Sequence, residues 1–490
     1  MRSPPQPLTQ PVARTPVWNR LRKTASVAFL LVYYLYFVWH IFGARFSGDD
    51  MMNMDYYFKL SPLKLALIQW MPWGGTYRPM GGLFYMAIFS LAGLNPAPFH
   101  SFALLTIAAN AYLTFRVARL LGCAELPAGL AALVMCYHGG IAALYYDTGF
   151  IYDILCGFFY LAAAGFYIRI RSRNRPLRAV ETAGLLVLTL CALNSKEMAV
   201  TLPVVLLAYE WIYHPPARRK PRDLVIWLGG AARAPLLTAG LALLTVYGVF
   251  FGSQALAKQP AYGLDFSLAR LVDFQRNAFG DLLFLRNLST TAMAAIWLAV
   301  TGMAWFSRDR ALRLCWVLMV VGPLPVEFLE NRSGACLYLP LAGWAIFAAV
   351  VLVGLANGIA ALLEAVFARR DWVRGLTVTA LVAAAVVLWS SHNLPYRNGY
   401  TNHALADMGA DIALVIRQLK ALPIQPQPHS VVAFLDDPLR TFDMAHIAQL
   451  FYHDRSITIW QQATAKHTPQ ELSRAEHLID YRDGKFMVVR

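Results

Sequence analysis

The sequence is short of charge, and above all of acid. Charged residues fill 14% of its 490 positions, with 28 Asp and Glu against 43 Lys and Arg, while 58% of positions are hydrophobic. A soluble fold of this size needs far more charge on its surface, so that class is set aside. Cysteine is also scarce. The six (Cys123, Cys136, Cys156, Cys191, Cys315, Cys336) lie in or beside apolar runs with no CxxC pair, which leaves helix packing rather than a disulfide framework or a thiolate metal site. No small-residue cleavage site follows the first apolar run, which is therefore expected to stay as an anchor. Internal repeats are missing, and so is any tetratricopeptide pattern.

What the chain has is apolar runs near the length that crosses a bilayer, about 20 residues each. Its net charge of +15 does not point to nucleic acid. From His392 onward ten Lys and Arg balance ten Asp and Glu, so the whole excess sits before that point. There it falls in short loops between apolar runs, as cytoplasmic loops of membrane proteins do.

Charge then sets an expected topology. Residues 1–23 are Pro-rich and basic, a cytoplasmic tail, and Thr24–Ala44 is the first span. Arg45–Tyr77 lies outside, with Ser61–Met71 spaced for a helix on the membrane surface. Pro79–Leu94 is apolar but roughly 24 Å long as a helix, against a hydrocarbon core of about 30 Å. The next run, His100–Leu121, ends on Arg116 and Arg119, so Pro79–Leu94 is read as a partly inserted juxtamembrane helix. Further spans follow at Pro127–Tyr146, Phe150–Ile168, Ala179–Leu193, Ala199–Tyr213 and Leu224–Phe251. The last four are Ser289–Phe306, Leu314–Leu329, Leu337–Phe367 and Gly375–Ser391. That makes eleven crossings over 24–391. An outer loop, Gly252–Leu288, has amphipathic potential.

Residues 392–490 are expected outside the cytoplasm as a small α/β domain. Short strands are expected at Ser430–Leu435 and Ser456–Trp460, around a helix at Met444–Tyr452. The tail holds seven of the eleven histidines without metal-ligand spacing; they read as surface residues.

Every polar motif of the apolar part falls on the outer side, where charge near membrane depth is costly and marks function or internal pairing. Asp49-Asp50 follow the first span directly, with Asp55 close behind. They are either solvated charges at a helix end or a base that takes a proton from an entering hydroxyl. Arg78, in Tyr77-Arg78-Pro79, either snorkels to headgroups or grips two oxygens of a phosphate. The second outer loop carries His138, Tyr146, Asp147 and Asp153. It suits sugar stacking and hydroxyl bonding, or is a polar hairpin with interfacial tyrosines. Lys196 and Glu197, in Asn194-Ser195-Lys196-Glu197, are a helix-end ion pair or hold phosphate and a sugar hydroxyl. Glu330-Asn331-Arg332 precede Leu337-Tyr338-Leu339-Pro340.

In order, DD, YRP, the aromatic-acid hairpin, SKE and R…YLP over residues 1–345 resemble the GT-C glycosyltransferases. These are integral membrane enzymes that take sugar from a polyprenyl phosphate carrier. The DD…YRP wording looks most like the TPR-bearing protein O-mannosyltransferases and their bacterial relatives, though no TPR pattern is present. The resemblance implies an all-α polytopic membrane fold with juxtamembrane helices in the first outer loop. It implies Asp49 as general base, with Asp50 beside it, and Arg78, Lys196 and Arg332 at the donor phosphate. Asp55, Tyr77, His138, Tyr146, Asp147, Asp153, Glu197 and Glu330 would line the substrate site. Oligosaccharyltransferase-like members carry an acidic motif in the second outer loop that helps bind metal. Here the spacing differs and DxD is lacking, so no cofactor is expected. Implied partners are a polyprenyl-phosphate-linked sugar, an extracytoplasmic protein, glycan or lipid acceptor, and the bilayer. The implied location is the plasma or inner membrane, with the site facing the periplasm. Two other classes stay open: a transporter or flippase of lipid-linked saccharides, and a non-catalytic envelope scaffold. Transporters often show inverted repeats, and none is seen here.

Overall fold

The computed structural model describes residues 16–71, 78–216, 218, 220–251, 263–330, 332, 334–366, 371–407, 409–439 and 443–490. Helices come first and in number. They are α1 (Pro16–Val38), α2 (Gly48–Phe58), α3 (Pro62–Ile68), α4 (Pro79–Ala92), α5 (Pro96–Leu120), α6 (Glu125–Cys136) and α7 (Ala143–Tyr146). Then follow α8 (Ile151–Arg171), α9 (Ala179–Ser195), α10 (Leu202–Tyr213), α11 (Pro221–Gly229), α12 (Arg233–Phe251), α13 (Leu268–Leu282) and α14 (Thr290–Phe306). The series continues with α15 (Arg310–Val321), α16 (Leu324–Glu327), α17 (Tyr338–Val366), α18 (Asp371–Ala406) and α19 (Ala410–Ala421). The C-terminal unit is β1 (Val431–Phe434), α20 (Asp443–Tyr452), β2 (Thr458–Gln461), α21 (Pro469–Leu472), β3 (His477–Arg482) and β4 (Lys485–Val488).

Each of the eleven expected crossings is helical, but among the described residues only five helices are long and apolar enough to cross a membrane. These are Thr24–Gly43, Pro96–Leu120, Thr148–Arg171, Gly334–Val366 and Trp372–Tyr400. A sixth is formed if α11 and α12, bent by 73° at their junction, are one broken span. The other expected spans are cut short for local reasons. The run 127–146 stops as α6 at Cys136, where Gly140 passes so close to Asp281 that a Cβ would stand 1.8 Å from its carbonyl oxygen. Only glycine allows that approach. The run 314–329 ends as α15 at Val321, before Pro323 and Pro325, which cannot supply the helix's backbone donors. Conversely, the last span does not stop at Ser391. α18 carries on through Pro395 to Ala406, so one continuous helix crosses the expected domain boundary.

The interior is built on α8, which packs against α5, α9 and α17, while α17 also lies on α6, α15 and α18. Polar ties fix these helices. Asn110 donates to the Ile154 carbonyl at 2.9 Å, and Arg171 of α8 meets Glu210 of α10 at 2.7 and 2.8 Å. The C-terminal sheet has the order β2-β1-β3-β4, with β1 parallel to β2 and β3 and with β4 antiparallel to β3. The two strands and the helix read from the sequence are present as β1, β2 and α20. β3 and β4 were not foreseen, because HLIDYR and KFMVV are short and interrupted by charge.

Candidate active site

Site assembly begins at Ser47. Its side chain accepts from the Asp50 amide, and Asp50 returns a bond to the Ser47 amide at 2.9 Å, a reciprocal cap that starts α2. This cap puts Asp49 and Asp50 in the first turn, where the helix dipole favours negative charge. The two acids then part company. Asp50 is fully buried and takes bonds from the Tyr85 hydroxyl at 3.0 Å and the Thr148 hydroxyl at 2.5 Å. Its oxygens are occupied by these donors, and it holds the start of α2. Asp49 is exposed, and among the described residues no side chain is hydrogen-bonded or ion-paired to its carboxylate.

Asp147 joins this end of the site. Ser47 Oγ stands 2.9 Å from Asp147 Oδ1 and 3.2 Å from Asp50 Oδ2, so its one proton serves one carboxylate at a time, and the Gly149 amide donates to Asp147 at 2.8 Å. Gly149 is squeezed between the two acids: a Cβ there would lie 2.9 Å from Asp147 Oδ1 and 3.1 Å from Asp49 Cβ. Burial, then the neighbouring Asp50 carboxylate, push the Asp147 carboxyl up to about 7. Burial likewise raises Asp50, against the lowering effect of bonds from Thr148, Ser47 and Tyr85.

The cationic end is a four-charge network. Arg78 donates to Glu197 through Nε at 3.1 Å and Nη2 at 2.7 Å, a two-pronged contact. Lys196 Nζ meets Asp153 at 2.6 Å with both side chains about 5% exposed, and also approaches Cys336 Sγ at 3.4 Å. Of the two alternatives for Lys196 and Glu197, the ion pair with each other is not formed: each pairs across the fold. Arg78 itself is strained, at φ 37° and ψ 64° immediately before Pro79. A residue before proline is pushed towards extended backbone, so this conformation is costly and must be held by its surroundings. It is held three ways. Tyr57 donates to its carbonyl at 3.0 Å, the guanidinium lies 5.2 Å from the Tyr152 ring centre, and Glu197 clamps the far end. Gly81 explains part of the YRPMGG run: a Cβ there would fall 2.1 Å from the Tyr152 ring.

Three tyrosines join the two ends. Tyr85, bonded to Asp50, stacks on Tyr57 at 6.3 Å, and the Tyr57 and Tyr152 hydroxyls are 3.3 Å apart. Residues 47–50, 57, 78, 85, 147–153 and 196–197 therefore form one continuous polar region inside an apolar bundle. Ser47, Thr148 and the tyrosines were missed by sequence reasoning. Only the S-x-x-D spacing of Ser47 and Asp50 signalled any of them.

Other expected site residues sit elsewhere or are spent. His138 is buried, with Nε2 3.0 Å from the Leu282 carbonyl and Nδ1 accepting from Gly140. It stacks on Phe284 and so ties two loops together. Tyr146 is buried and stacks on Tyr400 at 6.0 Å. Asp55 is 1% exposed and bound to Lys59 and His446. That last contact makes His446 an exception to the reading of the tail histidines as surface residues. Asp153 and Glu197 are ion-pair partners. Glu330 is exposed, and Arg332 is half-buried just before the turn Gly334–Leu337, whose Cys336 meets Lys196. Tyr77 lies outside the described residues. Among those residues no three His, Cys, Asp or Glu side chains are grouped to hold a metal ion.

No family model and no curated protein matches the sequence. Solved structures do match in fold. ArnT from Cupriavidus metallidurans bound to undecaprenyl phosphate superposes with a TM-score of 0.51 at 14% identity, over 96% of this chain and 97% of that one. Its apo form gives 0.54 at 13% identity, over 95% and 94%. The Archaeoglobus fulgidus oligosaccharyltransferase tethered with an acceptor peptide gives 0.51 at 12% identity, over 91% of this chain and 65% of that one. The fold is GT-C-like.

Proposed function

We propose that this protein is a membrane glycosyltransferase that moves a sugar from a polyprenyl-phosphate carrier to an acceptor hydroxyl outside the cytoplasm. The observation that carries the proposal is the separation of roles at the start of α2: Asp50 saturated and buried, Asp49 exposed and unengaged, with paired cations across the same polar region. In the reaction the acceptor oxygen attacks the anomeric carbon, its proton passes to the Asp49 carboxylate, and the bond from that carbon to the phosphate oxygen breaks. The polyprenyl phosphate leaves with the electron pair. Positive charge near the leaving phosphate comes from Arg78, Lys196 and Arg332, the first two exchanging part of their carboxylate contacts for phosphate oxygens. ArnT's solved complex with undecaprenyl phosphate supports a carrier of that chemistry. The Asp49-Asp50 and Tyr77-Arg78-Pro79 wording is the ground for placing the chain beside the protein O-mannosyltransferases within this class, with a hexose or pentose as cargo.

The test uses the product that every such donor shares. Purified protein in lipid nanodiscs is given a panel of undecaprenyl-phosphate-linked hexoses and pentoses, with an envelope fraction from cells lacking the protein as acceptor source. Release of undecaprenyl phosphate from one donor is expected. Donor left intact throughout, together with movement of the lipid-linked sugar across vesicles containing the protein, would establish the transporter class instead.

A further inference from the structure

α20 belongs to the C-terminal domain, yet it packs along α2, the short helix that carries Asp49. Three contacts follow one another down that helix, and a fourth reaches the neighbouring α4. At its start the Asp443 carboxylate lies so close to Gly48 that a Cβ there would stand 3.0 Å from Asp443 Oδ1. In the last turn, His446 Nδ1 stands 2.6 Å from Asp55 Oδ2, a contact between residues 391 positions apart. At the end, Arg455 lies over the Phe58 ring at 5.0 Å, and the His453 ring stacks on Phe89 of α4 at 5.1 Å.

The central contact is the specific one. Asp55 is 1% exposed, its Oδ1 is buried without a hydrogen-bond partner, and its Oδ2 faces both His446 and Lys59. A buried carboxylate is costly unless its oxygens are bonded. Lys59 comes from the same stretch of chain, four residues on, so it cannot set where α2 sits in the protein. His446 can, because it arrives from a different domain. α2 has eleven residues, roughly 16 Å of helix, which moves as one rod. Asp50 already ties the start of α2 to Tyr85 and Thr148; Asp55 adds a second point of attachment in the last turn, and two points together set the rotation and axial position of Asp49.

We propose that His446 is a positioning residue for the transfer reaction: by donating from Nδ1 to Asp55 it locks the Asp49-bearing helix to the C-terminal domain. The proposal rests on the reading of Asp49 as base. It gives the C-terminal domain a part in chemistry that takes place at the membrane domain, because of the two groups that face Asp55 Oδ2 only His446 comes from outside the local chain. Misplacement of a catalytic group by about 1 Å costs on the order of a hundredfold in rate, so a modest loosening of α2 is enough to matter.

The test compares full-length His446→Leu, His446→Asn, Lys59→Met and Asp49→Asn in nanodiscs. It follows undecaprenyl phosphate release from the donor that the wild type consumes and amide exchange over residues 48–58. His446→Leu is expected to lower kcat by about tenfold to a hundredfold, to leave the donor KM within about twofold, and to speed exchange over 48–58. The Asn amide N–H occupies the place of Nδ1–H, so His446→Asn should recover most of the rate and the slow exchange. Lys59→Met should stay close to wild type. Asp49→Asn inactive with His446→Leu unchanged in kcat overturns this inference alone. Asp49→Asn at wild-type turnover overturns the reading of the base, while exchange over 48–58 still reports whether His446 holds the helix. No recovery in His446→Asn, or a donor KM that rises in step with the fall in kcat, also overturns the positioning role.

Discussion

Lys196 and Asp153 form a 2.6 Å ion pair with both side chains about 5% exposed, joining the loop after α9 to the first turn of α8. Taking two charges out of water is tolerable only while each compensates the other. Lys196→Met alone strands Asp153 and should destabilise the protein by about 3–5 kcal/mol, and Asp153→Asn alone should do similar damage. The double variant Lys196→Met with Asp153→Leu is expected to be more stable than either single one. Thermal unfolding of the three in detergent checks this, and a double variant no better than the singles would contradict it.

Arg78 makes a two-pronged contact with Glu197 and lies over Tyr152. Lysine keeps the charge but loses the planar fork. Arg78→Lys is expected to raise the donor KM by about tenfold, the loss of one charge-assisted bond, with acceptor dependence little changed. If Arg78 only anchors α4 at the interface, lysine snorkels as well as arginine does, and donor titrations of the two proteins will coincide.

Asp147 offers a pH test. Its folded carboxyl is raised to about 7 by burial and by Asp50, above the unfolded value of about 3.9. The folded state therefore binds the proton more tightly, and its contribution to stability is complete below pH ~4 and lost as pH rises through ~7. Asp147→Asn removes that titration. Its melting temperature should exceed the wild type's at pH 8 by about 2–4 °C, with the gap closing towards pH 5. A gap that widens on acidification would contradict the shift.

The sequence showed more of the site than of the bundle. Asp49, Arg78, Asp147, Asp153 and Lys196 were all legible because charge beside long apolar runs is rare and stands out. Their pairing was not. Lys196 meets Asp153 and Arg78 meets Glu197 across 43 and 119 positions, and no local pattern encodes a partner that far away. His138 and Asp55 looked like ligands for the same reason: a polar residue in an apolar setting gives no sign of whether a distant group has already satisfied it. Tyr57 and Tyr85 gave no signal in the sequence, and Tyr152 lay among the tyrosines of the second outer loop, although the three bridge the two ends of the site. In the bundle, hydropathy placed the helices well and their lengths badly. Gly140 and Pro323 break runs that composition alone reads as continuous.

The central claim is that Asp49 takes the acceptor proton, and single-turnover kinetics of Asp49→Asn against wild type test it most directly. Asn keeps the size of the side chain and the start of α2, since the cap is made by Ser47 and Asp50. Loss of a general base costs roughly 10²–10⁴ in rate. The account predicts a loss in that range for undecaprenyl phosphate release, with unchanged melting temperature and unchanged binding of undecaprenyl phosphate. Near-wild-type release by purified Asp49→Asn would contradict it.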